Sequence, residues 1–122
     1  MDKIVTEKAP AAIGPYSQGV CAGEWVFTSG QIPVDPANSS IPEGITAQAE
    51  QACKNVGAVL AAAGISFENV VKTTCFLADM ADFASFNAVY ETFFVSKPAR
   101  SCVAVRALPK GVLCEIEAIA RK

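Results

Sequence analysis

The sequence predicts a single α+β domain spanning residues 1–122, in which two helices pack on one face of a mixed β-sheet of about six strands. Residues 45–63 and 83–93 are apolar at helical spacing, and six shorter segments have the composition of strands. The resulting order is β-β-β-α-β-α-β-β. A chain of 122 residues is long enough for one hydrophobic core and too short for two. Two helices can cover only one face of such a sheet.

The N-terminal part of the chain predicts three strands, over residues 3–6, 19–22 and 25–29. The second and third are joined by a turn at Gly23 and Glu24, where the glycine supplies a positive φ, so they form a hairpin. Residues 33–42 contain three prolines and a polar run, and we expect a surface loop there.

The period then changes to that of a helix, which Gly64 ends. The apolar positions of this helix are Ile45, Ala49, Ala52, Cys53, Val56, Leu60 and Ala63. A strand over residues 70–77 precedes a second helix, which we expect Asp82 to cap. The aromatic residues of the second helix share a face, a pattern typical of a core: Phe83, Phe86, Tyr90 and Phe93. Residues 100–105 and 113–120 supply the last two strands.

The chain is apolar for its size, with 52% hydrophobic residues and a mean hydropathy of +0.33. A small domain has much surface to keep hydrated, so we expect a second copy of the chain to cover part of the apolar surface. An alanine-rich core that raises the average is the alternative.

The charge pattern excludes several classes of partner. The net charge is −2, the pI is about 5.0 and there is no lysine or arginine run, so we expect no nucleic-acid partner. No apolar stretch is long enough to span a membrane and the N-terminus resembles neither a signal nor a transit peptide. We therefore expect no membrane partner and a cytoplasmic location.

Cysteine and histidine usage limits the chemistry. The five cysteines are an odd number with no C-x-x-C pair, and the chain has no histidine, so we expect neither disulfides nor a metal site. Every Ser–His or Cys–His nucleophile pair is excluded as well. Any reaction must use carboxylates, arginine, hydroxyls, backbone groups and water.

Three charged residues interrupt strands that are otherwise apolar, namely Arg100, Glu115 and Glu117. A guanidinium on a packed strand must find an anion, and its planar fork suits a carboxylate or a phosphate. Alternation places Glu115 and Glu117 on the same side of their strand. We expect the apolar sides of both strands to lie under the helices and the three charges to lie on the open face, at a subunit interface. A purely structural ion pair is the alternative.

Seven segments, which span nearly the whole chain, together resemble the RidA type of the Rid (YjgF/YER057c/UK114) family: residues 9–18, 27–33, 48–55, 71–74, 86–90, 98–103 and 115–118. The resemblance implies a chorismate-mutase-like fold, a homotrimer with three sites between subunits, no metal and no organic cofactor. It also implies that the final strand inserts between the two parallel strands. Arg100 and Glu115 of one chain would then lie about two strand spacings, roughly 10 Å, apart, which favours cooperation across a subunit boundary.

The activity implied by the resemblance is cofactor-independent deamination of enamines and imines, a hydrolysis of C–N bonds. The substrates would be 2-aminoacrylate, 2-iminopropanoate and 2-iminobutanoate from pyridoxal-phosphate-dependent serine and threonine dehydratases, and the products 2-oxo acids and ammonia. The family's carboxylate-binding arginine falls on Arg100, and its other site positions fall on Tyr16, Ser29, Gly30, Asn87, Cys102 and Glu115.

We expect Arg100 to bind the substrate carboxylate and Glu115 to position and polarise the attacking water. Hydrogen-bonding groups near Ser29, Gly30 and Cys102 would hold the imine nitrogen and the tetrahedral intermediate. Alternation cannot choose between Glu115 and Glu117, and only the resemblance favours Glu115. Cys102 is expected to contribute its backbone rather than a thiolate, because no lysine or histidine is placed to lower its pKa.

Two other functions compete with deamination. A regulatory module that binds 2-oxo acids without turnover would use the same Arg100. An endoribonuclease or translation inhibitor is the weaker alternative, because the chain is acidic and lacks histidine and basic patches. The chain departs from the family pattern in one segment. In other family members the segment between the second helix and Pro98 is usually several residues longer, whereas here only residues 95–97 separate Phe94 from Pro98.

Overall fold

A computed structural model describes all 122 residues and contains two α-helices and six strands, as the sequence predicts. The elements are β1 (Asp2–Ile4), β2 (Gly19–Ala22), β3 (Trp25–Thr28), α1 (Ile45–Ala62), β4 (Val70–Leu77), α2 (Phe83–Phe93), β5 (Ala99–Ala104) and β6 (Cys114–Arg121). Most predicted boundaries agree within one residue, but β1 is shorter than expected and begins one residue earlier. Gly23 has a φ of 61° in the hairpin turn between β2 and β3, as predicted.

The six strands form one mixed sheet in the order β1-β2-β3-β6-β4-β5. Only β4 and β5 are parallel, and they are direct neighbours. The expectation that the final strand inserts between two parallel strands is therefore wrong, since β6 lies between β3 and β4. The crossover through α2 returns the chain beside β4 and leaves β5 at the edge of the sheet. Two strand spacings nevertheless separate β5 from β6.

The two helices pack on one face of the sheet, here called the covered face, as the sequence predicts. Helix α1 contributes the fully buried side chains of Ala49, Ala52, Cys53, Val56, Val59 and Leu60. The strands contribute Val26, Cys75, Leu77, Cys114, Ile116, Ala118 and Ala120, each at most 2% exposed. Gly64 has a φ of 79° just after α1, which is the conformation that a C-terminal glycine supplies. Neither helix is long and apolar enough to cross a membrane.

The prediction that the Asp82 side chain caps α2 is wrong. Asp82 occupies the N-cap position, but its side chain makes no capping hydrogen bond. Its backbone is already helical, with φ −85° and ψ −1°, whereas a capping side chain is presented from extended backbone. Asp79 is extended and its Oδ1 accepts a hydrogen bond of 2.9 Å from the backbone N–H of Ala81. The turn before α2 is therefore the capped one.

The register of β5 corrects a second expectation. Arg100 pairs with Thr73 and Cys102 pairs with Cys75, and both partners are buried on the covered face. Paired residues point to the same side of a sheet, so Arg100 lies on the covered face and not on the open face. Glu115 and Glu117 do lie on the open face, because they alternate with buried Ile116. The prediction failed because β5 is an edge strand, whose apolar Val103 is 46% exposed on the open side.

Candidate active site

Arg100 lies beneath one stripe of α2. Its Nη1 donates a hydrogen bond of 2.7 Å to Oδ1 of Asn87. The guanidinium carbon lies 4.7 Å from the ring centroid of Tyr90 and 5.4 Å from that of Phe83. Positions 83, 87 and 90 follow one another at helical spacing, so all three side chains reach the same guanidinium.

No carboxylate of the chain pairs with Arg100. The two ion pairs in the structure are Glu50–Lys54 and Glu24–Arg121, and both are solvent-exposed. The guanidinium is half-buried among an amide oxygen and two aromatic rings, with its positive charge uncompensated. Within one chain, this excludes the structural Arg–Glu ion pair considered as the alternative. A surface cavity of about 530 Å³ opens beside Arg100 and is lined by Asn87, Tyr90 and Pro98 among others.

Tyr90 is itself held on two sides. Its hydroxyl shares a hydrogen bond of 2.6 Å with Oγ1 of Thr73, and its ring stacks on Phe94 at 4.3 Å between centroids. Burial raises the pKa of Tyr90 to about 12, so the phenol is neutral at physiological pH. The sequence interpretation of Tyr90 as a core residue is correct, but it missed the contact with Arg100. The signal that could have found it is the spacing of 83, 87 and 90.

Cys102 lies two residues beyond Arg100 on the same face of β5 and packs against the core. Burial raises the pKa of its thiol, and the positive charge of Arg100 offsets only part of this rise. A protonated thiol is a poor nucleophile, in keeping with the expected role of its backbone. All five cysteines are free. No group of three or more acidic or cysteine side chains is placed to hold a metal ion.

Glu115 lies where the ladder between β3 and β6 is interrupted. The regular pairing ends at Phe27 and Ile119, and it resumes with a single bridge between Gln31 and Ile116. Between them, Oγ1 of Thr28 accepts a hydrogen bond of 3.0 Å from the backbone N–H of Ala118. Residues 28–30 therefore make no backbone ladder pairs with β6, and Gly30 passes beside the Glu115 side chain.

Glu115 packs against the backbone of Gly30, and the preceding residue, Ser29, is held by hydrogen bonds. The hydroxyl of Ser29 donates to the carbonyl of Ser17 at 2.5 Å, and its N–H donates to the carbonyl of Gln18 at 2.9 Å. A Cβ added to Gly30 would overlap Oε1 of Glu115 and lie 2.9 Å from its Cδ. The N–H of Gly30 makes no hydrogen bond within the chain. A free backbone donor thus lies next to a carboxylate.

The pKa of Glu115 is raised above its ordinary value. Burial is the larger cause, and the negative charge of Glu117 adds to it. Glu115 has no cationic partner in the chain. A carboxylate with a raised pKa is a stronger base than an exposed one, which suits it to orient and polarise water.

Tyr16 lies on the same side of the molecule as Ser29. It is 54% exposed, and a surface cavity of about 590 Å³ is lined by Tyr16, Ser17 and Ser29 among others. The loop before it is fixed by buried Gln18, whose Oε1 accepts from the N–H of Thr6 at 2.7 Å. The Gln18 amide also donates to three carbonyl oxygens, those of Thr6, Ala9 and Pro10. The sequence interpretation did not assign a role to Gln18.

The structure thus divides the predicted site residues into two groups. The arginine group is Arg100, Asn87 and Cys102, and the glutamate group is Tyr16, Ser29, Gly30 and Glu115. Arg100 pairs with Thr73 whereas Glu115 pairs with Phe76 of the same strand, so they are three register positions apart on opposite faces. The separation is about 10 Å across the strands and about 10 Å along them. One small molecule cannot contact both groups of the same chain.

Comparison with known proteins identifies the family of the chain. The family model described as Endoribonuclease L-PSP matches residues 6–122. The chain belongs to this family, the Rid family. The resemblance inferred from the sequence is therefore confirmed, and so is the α+β fold.

Rid-family relatives match over almost their full length. The 2-iminobutanoate/2-iminopropanoate deaminase of Salmonella typhimurium is 56% identical over 121 residues, covering 96% of this chain and 94% of the relative. The mouse protein of the same name is 53% identical over 119 residues, covering 96% and 88%. Among solved structures, Escherichia coli TdcF with bound serine superposes with a TM-score of 0.97 at 49% identity, covering 100% of this chain and 99% of that one.

Proposed function

We propose that this chain is a cofactor-independent deaminase that hydrolyses 2-iminobutanoate and 2-iminopropanoate to 2-oxo acids and ammonia. The observation that carries the proposal is the Arg100 guanidinium, half-buried beside a cavity and without a carboxylate partner in its own chain. Such a charge needs an anion, and the acid group of an imino acid fits its planar fork. The names of the Salmonella and mouse relatives support the same substrates.

The site is shared between two copies of the chain in a homotrimer. The arginine group of one copy faces the glutamate group of its neighbour, because the two groups of a single chain are too far apart to act on one substrate. Apolar side chains on the open face supply the contact surface, among them Phe27 and Val103, which are 38% and 46% exposed. The homotrimer is the assembly that the family resemblance implies.

The reaction needs only positioning and charge stabilisation. Arg100 binds the substrate carboxylate, and ionised Glu115 orients a water molecule toward the carbon of the C=N bond. Addition of water forms a C–O bond and moves an electron pair to nitrogen, which takes a proton. The new hydroxyl group then loses its proton and the nitrogen gains a second one, so that the C–N bond breaks as the carbonyl forms and ammonia leaves. The free N–H of Gly30 donates a hydrogen bond to an acceptor atom of the tetrahedral intermediate.

The remaining residues line the site. Asn87 contacts Arg100 directly, and we assign it to substrate binding through that arginine. Tyr16 and Ser29 contribute hydroxyl oxygens from the glutamate group, and Cys102 contributes backbone groups from the edge strand β5. TdcF binds serine, a small amino acid with a carboxylate, which supports a small carboxylate-bearing substrate for this chain. The free cysteines are usual in reducing compartments, and we place the activity in the cytoplasm.

The family model's name raises the possibility of ribonuclease activity. The chain has no histidine and a net charge of −2, so it lacks both the commonest general base and the charge that binds a phosphate backbone. We therefore propose no nucleic-acid partner. We also propose no metal and no organic cofactor for the reaction described above.

The test is an assay that couples a serine or threonine dehydratase to release of 2-oxo acid and ammonia. The wild-type chain should accelerate release, and Arg100→Ala should remove the acceleration while leaving the assembly folded. Full activity in Arg100→Ala would contradict the assignment. Tight binding of 2-oxobutanoate by the wild-type chain without any acceleration would instead favour the regulatory module.

A further inference from the structure

Three side chains of α2 contact the guanidinium of Arg100, and they leave one of its edges free. Nη1 donates to Asn87, while the aromatic rings of Tyr90 and Phe83 lie near the guanidinium carbon at 4.7 and 5.4 Å. The Nε and Nη2 edge has no partner in the chain. Two parallel N–H groups on that edge match the two oxygens of a carboxylate.

We propose that Tyr90 and Phe83 are positioning residues, which fix the Arg100 guanidinium so that its Nε and Nη2 edge binds the carboxylate of the imino acid. This inference rests on the proposed function, since it concerns how the same arginine recognises the same acid group. Neither ring touches the reacting atoms. They act through Arg100 alone.

An arginine needs such support because its side chain has many rotatable bonds. An unrestrained guanidinium must lose that freedom each time a ligand binds, which weakens the affinity. Contact with an aromatic face is attractive for a cation, and a partly buried site strengthens it. The rings therefore fix the orientation before the ligand arrives.

The position of Tyr90 is set by the strand that neighbours Arg100. Its hydroxyl hydrogen-bonds with Thr73, which is the register partner of Arg100 in β4. Its ring also stacks on Phe94 and lies 5.8 Å, between centroids, from the ring of Phe86. Thr73 thus positions both groups: its backbone pairs with Arg100, and its hydroxyl bonds Tyr90. A ring that only filled the core would not need this hydrogen bond.

The test compares two buried aromatic residues of α2. Tyr90→Leu removes the ring beneath Arg100, and Phe86→Leu removes a buried ring that packs beside Tyr90 but makes no contact with Arg100. Calorimetry with 2-oxobutanoate should show about tenfold weaker binding for Tyr90→Leu and little change for Phe86→Leu. Steady-state assays should place the loss in KM rather than in kcat, because the carboxylate contact is made throughout the reaction. Tyr90→Phe keeps the ring and should bind within about threefold of wild type.

A second pair covers the case in which Tyr90→Leu fails to fold. Phe83→Leu and Phe93→Leu each remove a partly buried ring from α2, and only Phe83 lies against Arg100. Weaker 2-oxobutanoate binding in Phe83→Leu alone supports the proposal. Equal affinity of both variants and wild type overturns it. A wild-type chain that binds 2-oxobutanoate and hydrolyses no imine overturns the deaminase function alone, and one that neither binds 2-oxobutanoate nor hydrolyses imine overturns both.

Discussion

The two halves of the proposed site are held in place by different forces. In the glutamate group, Glu115 lies on β6 and the other three members lie on loops, which hydrogen bonds to the backbone hold in place, as in the contacts of Ser29 with Ser17 and Gln18. The arginine group lies on a strand and a helix, and aromatic packing around Arg100 fixes it. A carboxylate is stabilised by hydrogen-bond donors such as nearby backbone N–H groups, whereas a guanidinium can also be held by the flat faces of aromatic rings. The difference predicts different responses to mutation.

The largest effect is expected at the carboxylate itself. Glu115→Gln keeps the shape of the side chain but removes the base, so kcat should fall on the order of 10²- to 10⁴-fold. Glu117→Gln is the matched control on the same face of β6 and should retain most activity. The coupled dehydratase assay measures both. Greater loss in Glu117→Gln than in Glu115→Gln would reverse the assignment of the two residues.

Gly30→Ala tests whether the backbone of Gly30 positions Glu115. The added Cβ overlaps Oε1, and the flexible carboxylate can move away because Gly30 does not lie in the left-handed region. We expect kcat to fall on the order of tenfold or more with little change in Tm. In a Glu115→Gln background the same substitution should cost almost nothing further, since both act through one group. Additive losses would show that Gly30 acts independently of Glu115.

Gln18→Leu tests the hydrogen-bonded half of the comparison. The substitution leaves the N–H of Thr6 and three carbonyl oxygens without their amide partner, so the free energy of unfolding should fall by about 2 kcal/mol. Gln51→Leu is the control, because that amide makes a single hydrogen bond to Asn55. Denaturant titration provides the measurement, and equal stability of the two variants would contradict the role of Gln18.

The smallest effect is a shift in pH dependence. Glu115 must be ionised to orient water, and its pKa is raised, so activity should fall on acidification at a pH above the ordinary range of a glutamate. Glu117→Gln removes the neighbouring charge, which is the smaller cause of the raised pKa, and should move this limb to lower pH. Burial remains, so the pKa stays raised. The pH profile of kcat/KM measures the shift, and a limb that moves to higher pH would be the wrong sign.

The same raised pKa has a consequence for stability. A carboxyl whose pKa is higher in the folded chain than in the unfolded one favours folding while both forms are protonated. That contribution is present below the unfolded pKa of Glu115 and is lost as the pH rises through the folded pKa. Stability and activity therefore respond in opposite directions at this residue.

Most of the fold could be predicted from periodicity, because the buried stripes of α1 and of β4 and β6 are strong local signals. The order of the strands could not, since it depends on how α2 returns the chain to the sheet rather than on any residue pattern. The prediction that Arg100 lies on the open face of the sheet was also wrong. Both sides of β5 carry polar and apolar residues, and alternation gives no preference at an edge strand.

The members of the site stay a prediction, and the sequence says more about which residues they are than about how they are arranged. The family resemblance named Arg100, Glu115 and their neighbours, but a linear pattern cannot show that they form two separate groups. Tyr90 and Phe83 were interpreted as core because their aromatic character dominates the pattern. Only the three-dimensional register places Thr73 beside Arg100 and brings Tyr90 over it.

The most direct test of the shared site mixes two inactive variants. Arg100→Ala and Glu115→Gln chains, co-expressed with different tags and purified as mixed oligomers, regain a complete site wherever an intact arginine group faces an intact glutamate group. Each mixed trimer has three interfaces, and one of them joins an intact arginine group to an intact glutamate group, so about a third of the wild-type activity should return. Mixed oligomers as inactive as the two parents would contradict the account.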